Sequence, residues 1–370
     1  MAPMTKGSNV PYRRLCDELG ADVTMGEMAV AYQLLKGRRA EFALIIRGKD
    51  ERCFGVQLAG FNAEQMGEAA KLVEQKGADF IDVNCGCPVD LFTRKGLGSA
   101  LLRRPNKIGQ IVEAMTKAVK VPITVKIRLG YDDDEQNYLE VAKVAAAAGA
   151  QAITVHGRTR TQRYRKSADW DKIGDVVVAV APIPVIGNGD ILWPHEITEF
   201  RRRAGAAGVM TARGCLVKPW IFREAKTGIP EDPTPEARLG IYGRWVELAR
   251  EHWRDDEKGR TRIREFLLWH LGFWCRHAPR HADGIVITGP VTANMRSALL
   301  DTWKALPAPR LVIAVGACAI SGGPYAGASG SVGIPPEMPV DLFIPGCPPH
   351  PWTLLDGLLR LMGRIEEKKR

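Results

Sequence analysis

Short apolar runs alternate with amphipathic segments over the first 214 residues, and this alternation constrains the fold more than any other feature of the chain. The strand-like runs cover residues 22–25, 55–60, 80–84, 123–128, 152–156, 184–187 and 208–211. Helix-like segments separate them, among them residues 63–76, 106–119 and 135–148. Strands that alternate with helices at this spacing predict an α/β fold with a parallel sheet.

The segment Ala2-Pro3-Met4 supplies an eighth strand position, shortened because almost nothing apolar precedes Ala2. Eight parallel strands, each followed by a helix, form the (β/α)8 or TIM barrel, which carries its active site at the carboxyl ends of its strands. We therefore predict a TIM barrel over residues 1–232.

Polar side chains and glycine-rich turns recur where the predicted strands end. The set comprises Gln57, Asn84, Cys87, Lys126, His156, the turn Gly187-Asn188-Gly189-Asp190 and the turn Thr211-Ala212-Arg213-Gly214. Each has an ordinary explanation by itself: Lys126 could be an ion-pair partner and His156 a satisfied core histidine. Polar groups on apolar strands are costly unless they face a ligand, so their coincidence at six strand ends predicts a functional site. The last two turns predict a phosphate cradle, to which Arg213 adds positive charge.

The segment Asn84-Cys85-Gly86-Cys87-Pro88 places a thiol at one of these strand ends. A lone cysteine is usually a small buried hydrophobe. A Cys-x-Cys segment could also be half of a metal site, but the sequence has no second such pair to complete it. The polar strand ends around this segment favour a catalytic thiol instead.

The net charge of +10 lies almost wholly in the first 282 residues, and it suits a polyanionic partner. Arg158, Arg160 and Arg163, with Arg165 and Lys166, form a dense basic segment suited to phosphate contacts, although a solvated loop is the ordinary alternative. No apolar run approaches the roughly 20 residues of a membrane span, so no membrane-spanning segment is expected. The eight scattered cysteines predict reduced thiols and a cytoplasmic location.

Seven segments, in consistent order over residues 1–279, together resemble the flavin-dependent tRNA-dihydrouridine synthases. They are Ala2-Pro3-Met4, Gln57-Leu58-Ala59-Gly60, Asn84-Cys85-Gly86-Cys87-Pro88, Lys126-Ile127-Arg128, His156-Gly157-Arg158-Thr159, Gly187-Asn188-Gly189-Asp190 and Ala212-Arg213-Gly214. The segments at residues 88–96 and 264–270 are most similar to the branch called dihydrouridine synthase 3. The resemblance implies that residues 233–281 are a truncated form of the family's helical tRNA-binding domain.

The resemblance also implies a reaction: uridine in tRNA is reduced to 5,6-dihydrouridine, with NADPH as the reductant. A hydride passes from reduced FMN to C6 and a proton from Cys87 to C5; Cys87 matches the family's proton donor, whereas Cys85 does not. The implied FMN ligands are Pro3, Met4, Gln57, Lys126, His156, Asn188, Gly189, Asp190, Ala212 and Arg213. The expected substrate contacts are Asn84, Arg158, Arg160 and Arg163.

Residues 282–370 resemble a different protein, the small iron–sulfur subunit shared by complex I and membrane-bound [NiFe] hydrogenases. The resemblance rests on the segments at residues 284–289, 311–318 and 340–349, the last of which contains Pro345-Gly346-Cys347-Pro348-Pro349. It implies a small α/β, flavodoxin-like fragment with three parallel strands and a possible surface for association. The chain thus looks like a fusion of two truncated genes.

Cys318 and Cys347 match two of the four thiolates that hold the [4Fe–4S] cluster of that subunit. Two thiolates cannot hold such a cluster alone, and spacing does not support Cys275 or a barrel cysteine as a substitute. We therefore expect a remnant without a metal site. Two function classes remain open: a flavin-dependent tRNA reductase, and an iron–sulfur electron-transfer or assembly component that acts through the C-terminal fragment.

Overall fold

The computed structural model describes residues 1–274, 284–306, 310–327 and 333–367. The chain divides into two compact units, Met1–Phe266 and Leu267–Arg370. The predicted boundary after residue 232 and the predicted boundary after residue 281 stay predictions, and the second lies outside the described residues.

The first unit alternates strands and helices along the chain. Its strands are β1 Thr24–Met25, β2 Ala29–Val30, β3 Phe54–Ala59, β4 Phe80–Cys85, β5 Ile123–Arg128, β6 Ala152–His156, β7 Val185–Asn188 and β8 Gly208–Met210. Its helices are α1 Val10–Glu18, α2 Ala31–Leu35, α3 Arg39–Leu44, α4 Ala63–Gln75, α5 Asp90–Thr93, α6 Pro105–Ala118, α7 Tyr138–Ala147, α8 Trp170–Ala179, α9 Pro194–Ala204, α10 Arg213–Val217, α11 Ile221–Thr227 and α12 Pro235–Trp253. A 3-10 helix spans Gly98–Arg103, and the division between the units falls within α13, Glu257–Trp274.

The sheet of the first unit is parallel throughout, and β3 to β8 lie side by side in chain order. Both β1 and β2 pair with β3: Thr24 lies opposite Phe54, and Ala29 lies opposite Leu58. They are therefore two pieces of one strand position that is interrupted at residues 26–28. The parallel α/β fold predicted from the alternation is confirmed.

The segment at residues 2–4, predicted as a shortened first strand, forms no regular strand. The backbone N of Met1 donates to the carbonyl of Val23 at 2.7 Å, and the N–H of Ala2 donates to the carbonyl of Thr211 at 2.9 Å. Two hydrogen bonds are too few for a ladder, but Val23 precedes β1 and Thr211 follows β8. The segment therefore joins the two edges of the sheet and closes the ring of strands.

Apolar side chains and glycines fix the distance between the strands and their outer helices. All six residues of β3 are buried. In β7, a Cβ atom on Gly187 would lie 2.1 Å from the ring of Trp170 on α8, so only glycine admits this helix contact. The close approach of α8 to β7 sets the position of Asn188, the next residue of the strand.

Helix α12, within the predicted helical segment, packs against α1. Arg14 on α1 pairs with Glu251 at 2.7 Å, and Arg244 on α12 pairs with Glu18 at 2.8 Å. The ring of Trp245 stacks on that of Phe266 at 4.3 Å. Aromatic stacking and ion pairs thus hold the start of the helical segment within the first unit.

A buried ion pair connects α1 to the chain that leads into β3. Arg13 Nε lies 2.7 Å from Glu51 Oε1, and both side chains are almost fully buried. Glu51 also accepts from Thr24 Oγ1 at 2.7 Å, and the guanidinium of Arg13 lies over the ring of Phe54 at 4.4 Å. Each charge is therefore paired, as a buried charge must be.

The second unit is a small three-layered α/β unit. Its strands are β9 Gly284–Ile287, β10 Leu311–Val315 and β11 Leu342–Ile344, and its helices after α13 are α14 Ala293–Ala305, α15 Ala317–Ser321 and α16 Pro351–Glu367. The sheet is parallel in the order β11-β10-β9. Val312 and Ala314 belong to one core cluster, whereas Ile313 and Val315 belong to another, as expected for a strand buried on both faces. No helix in the described part of either unit is long and apolar enough to cross a membrane.

We predict that Glu51→Ala destabilises the fold strongly, because it leaves the guanidinium of Arg13 buried without its partner. Breaking a buried pair in this way typically costs about 3–5 kcal/mol of unfolding free energy. Urea unfolding of the full chain, followed by circular dichroism, measures the effect. The matched control is Glu113→Ala, which removes the exposed Lys117 pair on α6 and should change stability little. Equal midpoints for the two variants would contradict the importance of the buried pair.

Candidate active site

The strand register brings most of the predicted site residues together at the carboxyl ends of the strands. Side-by-side pairs on neighbouring strands are Gln57 with Asp82, Asp82 with Thr124, Asn84 with Lys126, Arg128 with His156, and His156 with Asn188. These polar side chains come from β3 to β7, so five consecutive strands contribute to one site.

A buried carboxylate, Asp82, lies at the base of this site. It accepts a hydrogen bond from Gln57 Nε2 at 2.7 Å and another from Thr124 Oγ1 at 2.7 Å. Burial raises the pKa of Asp82 to about 6, although these hydrogen bonds and the charge of Lys126 lower it. Our sequence reasoning missed Asp82, whose signal was a carboxyl group inside the apolar run at residues 80–83.

The loop that carries Cys87 is fixed by hydrogen bonds on both sides of that residue. The N–H of Cys87 donates to Asn84 Oδ1 at 2.9 Å, and its carbonyl accepts from the N–H and Oγ of Ser99 at 3.0 and 2.9 Å. Gly98, in the left-handed region at φ 62°, packs so closely that a Cβ atom there would lie 2.9 Å from Cys87 Cβ. The position of the Cys87 backbone is therefore closely defined.

The two thiols of this segment have different environments. Cys87 is half-buried, whereas Cys85 is fully buried within β4. Burial raises the pKa of the Cys87 thiol above its usual range, even though the charges of Arg128 and Lys126 lower it. Burial likewise raises the pKa of Cys85, where the charge of Asp82 adds to the effect. Cys87 is thus a protonated thiol at neutral pH, and it is the accessible one of the two.

Lys126 and Asn188 connect the middle of the site to its far side. Lys126 Nζ donates to Asn188 Oδ1 at 3.0 Å, and Asn188 Nδ2 donates to the carbonyl of Met210 at 2.7 Å. Burial, and to a smaller extent repulsion from Arg128, lower the pKa of Lys126 to about 8 in spite of the charge of Asp82, which raises it. The ammonium group is therefore held in a setting where an added negative charge would be stabilising.

Four cations surround His156. Burial lowers the pKa of His156 well below its usual value, and the nearby charges of Arg128, Lys126, Arg158 and Arg213 lower it further. Arg158 Nη1 lies 3.2 Å from His156 Nε2, so the neutral imidazole can accept that hydrogen bond. The arrangement concentrates positive charge at one edge of the barrel, as an anionic ligand requires.

The turns after β7 and β8 lie against each other, as the predicted phosphate cradle requires. A Cβ atom on Gly214 would lie 2.1 Å from the carbonyl oxygen of Ile191, so glycine permits this contact. Gly189 and Asp190 both have positive φ angles, of 131° and 53°. The carboxylate of Asp190 pairs with Arg158 and lies 3.6 Å from Arg213 Nη2. The two turns thus bring backbone groups and the cations Arg158 and Arg213 close together.

The implied ligands at the N-terminus lie beside these turns. Met4 and Ala212 both pack against the buried cluster of Ala2, Met25 and Met210. Pro3, directly after the hydrogen bond from Ala2 to Thr211, is partly exposed. The closing segment therefore brings Pro3 and Met4 to the end of β8, next to the predicted phosphate cradle.

The basic segment after β6 is more strongly paired than an open phosphate-binding loop would be. Arg158 is 2% exposed and bonds to Asp190, whereas Arg160 and Arg163 both pair with Asp90 of α5. The side chains of Arg160 and Arg163 are 18% and 53% exposed. Arg158 therefore faces the interior of the site, and Arg160 and Arg163 lie at its rim.

Arg128 is a second residue that our sequence reasoning did not assign to the site. Its Nε donates to the carbonyl of Gly86 at 2.8 Å, and its Nη1 donates to the carbonyl of Thr159 at 2.9 Å. It thus fastens the Cys87 loop to the loop after β6. The only signal was an arginine at the end of an apolar strand, where solvent exposure is the simpler expectation.

The family model of the dihydrouridine synthases (Dus) matches residues 1–269, a range that contains every residue of this site. The chain belongs to the dihydrouridine synthase family. The human protein named tRNA-dihydrouridine(47) synthase [NAD(P)(+)]-like is 42% identical over 280 residues, which are 75% of this chain and 43% of the human protein. A protein of the same name from Oryza sativa subsp. japonica is 41% identical over 285 residues, or 75% of this chain and 41% of its own length.

The tRNA-dihydrouridine(47) synthase [NAD(P)(+)] of the fungus Coprinopsis cinerea is 39% identical over 311 residues, or 80% of this chain and 46% of its own length. The chain thus spans less than half the length of these curated relatives. A second family model, that of the NADH ubiquinone oxidoreductase 20 Kd subunit, matches residues 249–361. Both resemblances inferred from the sequence are confirmed.

The second unit of the chain carries the two cysteines that resemble cluster ligands. Cys318 lies in α15 after β10, and exposed Cys347 follows β11, so both are at carboxyl ends of neighbouring strands. Within the described ranges, no group of three or more His, Cys, Asp or Glu side chains could hold a metal ion. Cys275, considered as a substitute ligand, lies outside the described residues. The described thiols therefore do not fit the four-thiolate set of a [4Fe–4S] cluster.

We predict that iodoacetamide modifies Cys87 but not Cys85 in the native protein, because only Cys87 reaches solvent. The rate at Cys87 should rise about tenfold per pH unit below its pKa, since the thiolate is the nucleophile. Peptide mass spectrometry resolves each site, with exposed Cys347 as the native control and denatured protein as the control for Cys85. Native modification of Cys85 at a rate similar to that of Cys87 would contradict the prediction.

Proposed function

We propose that this chain reduces uridine to 5,6-dihydrouridine in tRNA, with FMN as cofactor and NADPH as reductant. The observation that carries the proposal is the Cys87 thiol, which is accessible, protonated at neutral pH and fixed on both sides of its backbone. Family membership supports it, and so do the names of the relatives, which specify a tRNA-dihydrouridine synthase that uses NAD(P).

The residues around the barrel mouth suit a flavin phosphate and an electron-rich ring system. Lys126, His156 and Asn188 line the middle of the site, and Arg213 lies at the turn after β8. When bound, the reduced flavin supplies the hydride for C6 of the uracil ring. The buried ammonium of Lys126 would stabilise negative charge on the flavin ring system, because burial strengthens the electric field of the ammonium group.

Cys87 would donate the proton to C5 of uracil. A general acid must hold its proton at the working pH and lie within hydrogen-bond reach of the acceptor. The raised pKa of the Cys87 thiol meets the first condition, and its position at the end of β4 suits the second. Cys85 also keeps its proton, but it is enclosed within the strand and does not meet the second condition.

The tRNA would bind at the rim of the site with its target base flipped into the barrel. Asn84 lies directly before the Cys87 loop and would contact the base, and Arg160 and Arg163 would contact the backbone. Arg158 lies too deep for a backbone contact, so we assign it to the cofactor side, beside His156 and Asp190. The relatives' names specify position 47 of tRNA, and we propose that uridine as the target.

We further propose residues 1–232 as the catalytic barrel and residues 233–281 as a shortened tRNA-binding segment. We assign residues 282–370 no role in the reaction, because their described thiols do not fit a cluster. They expose apolar side chains at Phe343, Trp352 and Leu359, which is compatible with the predicted association through this unit. The cytoplasmic location stays a prediction from cysteine usage.

We predict that Cys87→Ala abolishes most dihydrouridine formation but leaves flavin bound and reducible by NADPH. Loss of a general acid typically slows the reaction by about 10²–10⁴-fold. Mass spectrometry of nucleosides from a uridine-containing tRNA transcript measures the product, and absorbance follows the flavin. Cys85→Ala is the matched control, and an equal loss in that variant would mean that the wrong sulfur had been assigned.

We predict that Arg213→Ala lowers the flavin content of the purified chain, because it removes a cation from the predicted phosphate site between the turns after β7 and β8. Absorbance at the flavin band, divided by protein concentration, measures occupancy. Arg203→Ala, which removes an exposed pair with Asp171 on the barrel surface, should leave occupancy unchanged. Full occupancy in Arg213→Ala would place the phosphate elsewhere.

A further inference from the structure

A continuous chain of hydrogen bonds runs from the buried Asp82 to the backbone of Cys87. Gln57 Nε2 donates to Asp82 Oδ2 at 2.7 Å, and Asn84 Nδ2 donates to Gln57 Oε1 at 2.6 Å. Asn84 Oδ1 then accepts from the N–H of Cys87 at 2.9 Å and from that of Gly86 at 3.2 Å. The three side chains are almost fully buried, so water does not readily replace these bonds.

The direction of this chain depends on the charge of Asp82. An ionised carboxylate can only accept, whereas each primary amide has a donating end and an accepting end. Gln57 must therefore turn its NH2 group towards Asp82 and its carbonyl towards Asn84. Asn84 must then turn its own NH2 group towards Gln57, which leaves its carbonyl for the N–H of Cys87. A protonated Asp82 could donate, and reversed amides would then set the NH2 group of Asn84 against the N–H groups of Gly86 and Cys87, which can only donate.

The ionised carboxylate is unfavourable for the stability of the fold. Burial raises the pKa of Asp82 to about 6, against an ordinary value of 3.8. The folded state thus holds the proton more tightly than the unfolded chain does, and stability is lost as the pH rises through about 6. A buried charge that opposes stability and is linked by hydrogen bonds to the backbone of Cys87 is characteristic of a functional site.

The groups that face Asp82 come from three strands. Lys126 on β5 is the nearby positive charge, Cys85 on β4 is the nearby titratable thiol, and β3 contributes the neutral Gln57. Thr124 on β5 adds a second hydrogen bond that favours the ionised form. Lys126 and Thr124 therefore help to keep Asp82 charged at neutral pH.

We propose that Asp82 is a positioning residue for the proton transfer from Cys87: its carboxylate sets the direction of the hydrogen-bond chain through Gln57 and Asn84 that holds the Cys87 backbone. The proposal rests on the proposed function as far as the reaction is concerned. The positioning of Cys87 itself is a property of the chain that can be measured without any reaction.

The first test is Asp82→Asn, which keeps the size of the side chain and removes its charge. We expect the single-turnover rate of dihydrouridine formation to fall about 10–100-fold, as is usual for a residue that orients a reactive group without touching the substrate. The tRNA concentration that gives half of the maximal rate should change little. The rate of Cys87 modification by iodoacetamide should increase, because the loop is less firmly held. The unfolding temperature at pH 8 should be no lower than that of the wild-type chain, which a purely structural role would not allow.

The second test uses the pH profile. In the wild-type chain, dihydrouridine formation should fall as the pH decreases through about 6, where Asp82 becomes protonated. Thr124→Val removes a hydrogen bond that lowers the pKa of Asp82, so this acid limb should move to higher pH. A limb that does not move belongs to another group and would overturn the proposal, even if Asp82→Asn failed to fold.

Asp171→Asn is the matched control, since Asp171 is an exposed aspartate on α8 that pairs with Arg203. It should leave the rate, the modification of Cys87 and the pH profile unchanged. If the wild-type chain forms no dihydrouridine, the proposed function fails, but faster Cys87 modification in Asp82→Asn would still support the positioning role. A folded Asp82→Asn chain with unchanged rate and unchanged Cys87 modification would overturn the positioning role itself.

Discussion

Closure of the strand ring depends on the hydrogen bond from the N–H of Ala2 to the carbonyl of Thr211, together with that from Met1 to Val23. An open parallel sheet would separate its first and last strands, whereas a closed ring turns every strand's carboxyl end towards one centre. Cys87 after β4 and Arg213 after β8 can then belong to a single site. The geometry of the site is therefore a consequence of closure, and each strand needs to contribute only one or two polar side chains to it.

Closure also encloses charged side chains, and the low polarisability of the interior determines their pKa values. Burial lowers the pKa of Lys126 to about 8 and that of Arg128 to about 10, and it raises the pKa of Asp82 to about 6. These opposite shifts follow from one cause, because burial disfavours the charged form of every group. The site consequently keeps neutral His156 and protonated Cys87 among cations, a combination that favours an anionic ligand and retains a proton for donation.

Much of this architecture could be predicted from the sequence, because the hydrophobic pattern fixes strands and the glycine turns fix where they end. The strand predicted at residues 123–128 forms with those bounds, and the glycine turns predicted after β7 and β8 lie close to each other. The predicted first strand at residues 2–4 was wrong in detail, since two backbone hydrogen bonds hold the segment without a ladder. Asp82 was missed, and the burial of Arg158 was not foreseen, because burial of a charged residue depends on partners far away in the chain. Arg158 finds Asp190, and Asp82 finds Gln57, only after the strands have paired.

The two units illustrate how the number of converging strands limits the chemistry that a parallel sheet can support. In the first unit, strand ends from β3 to β8 contribute a thiol, an ammonium, an imidazole and guanidinium groups to one centre. In the second unit, the described strand ends of β10 and β11 contribute one cysteine each, Cys318 and Cys347. A four-thiolate cluster needs two more ligands of the same kind, and a short three-stranded sheet offers few further positions. Gly316 and Gly346, near these cysteines, both have positive φ angles, as turns at strand ends often do, but the described ligand set is only half present. Shape at a sheet edge is set by backbone turns, whereas chemistry requires the complete set of side chains, and only the first unit meets both requirements among the described residues.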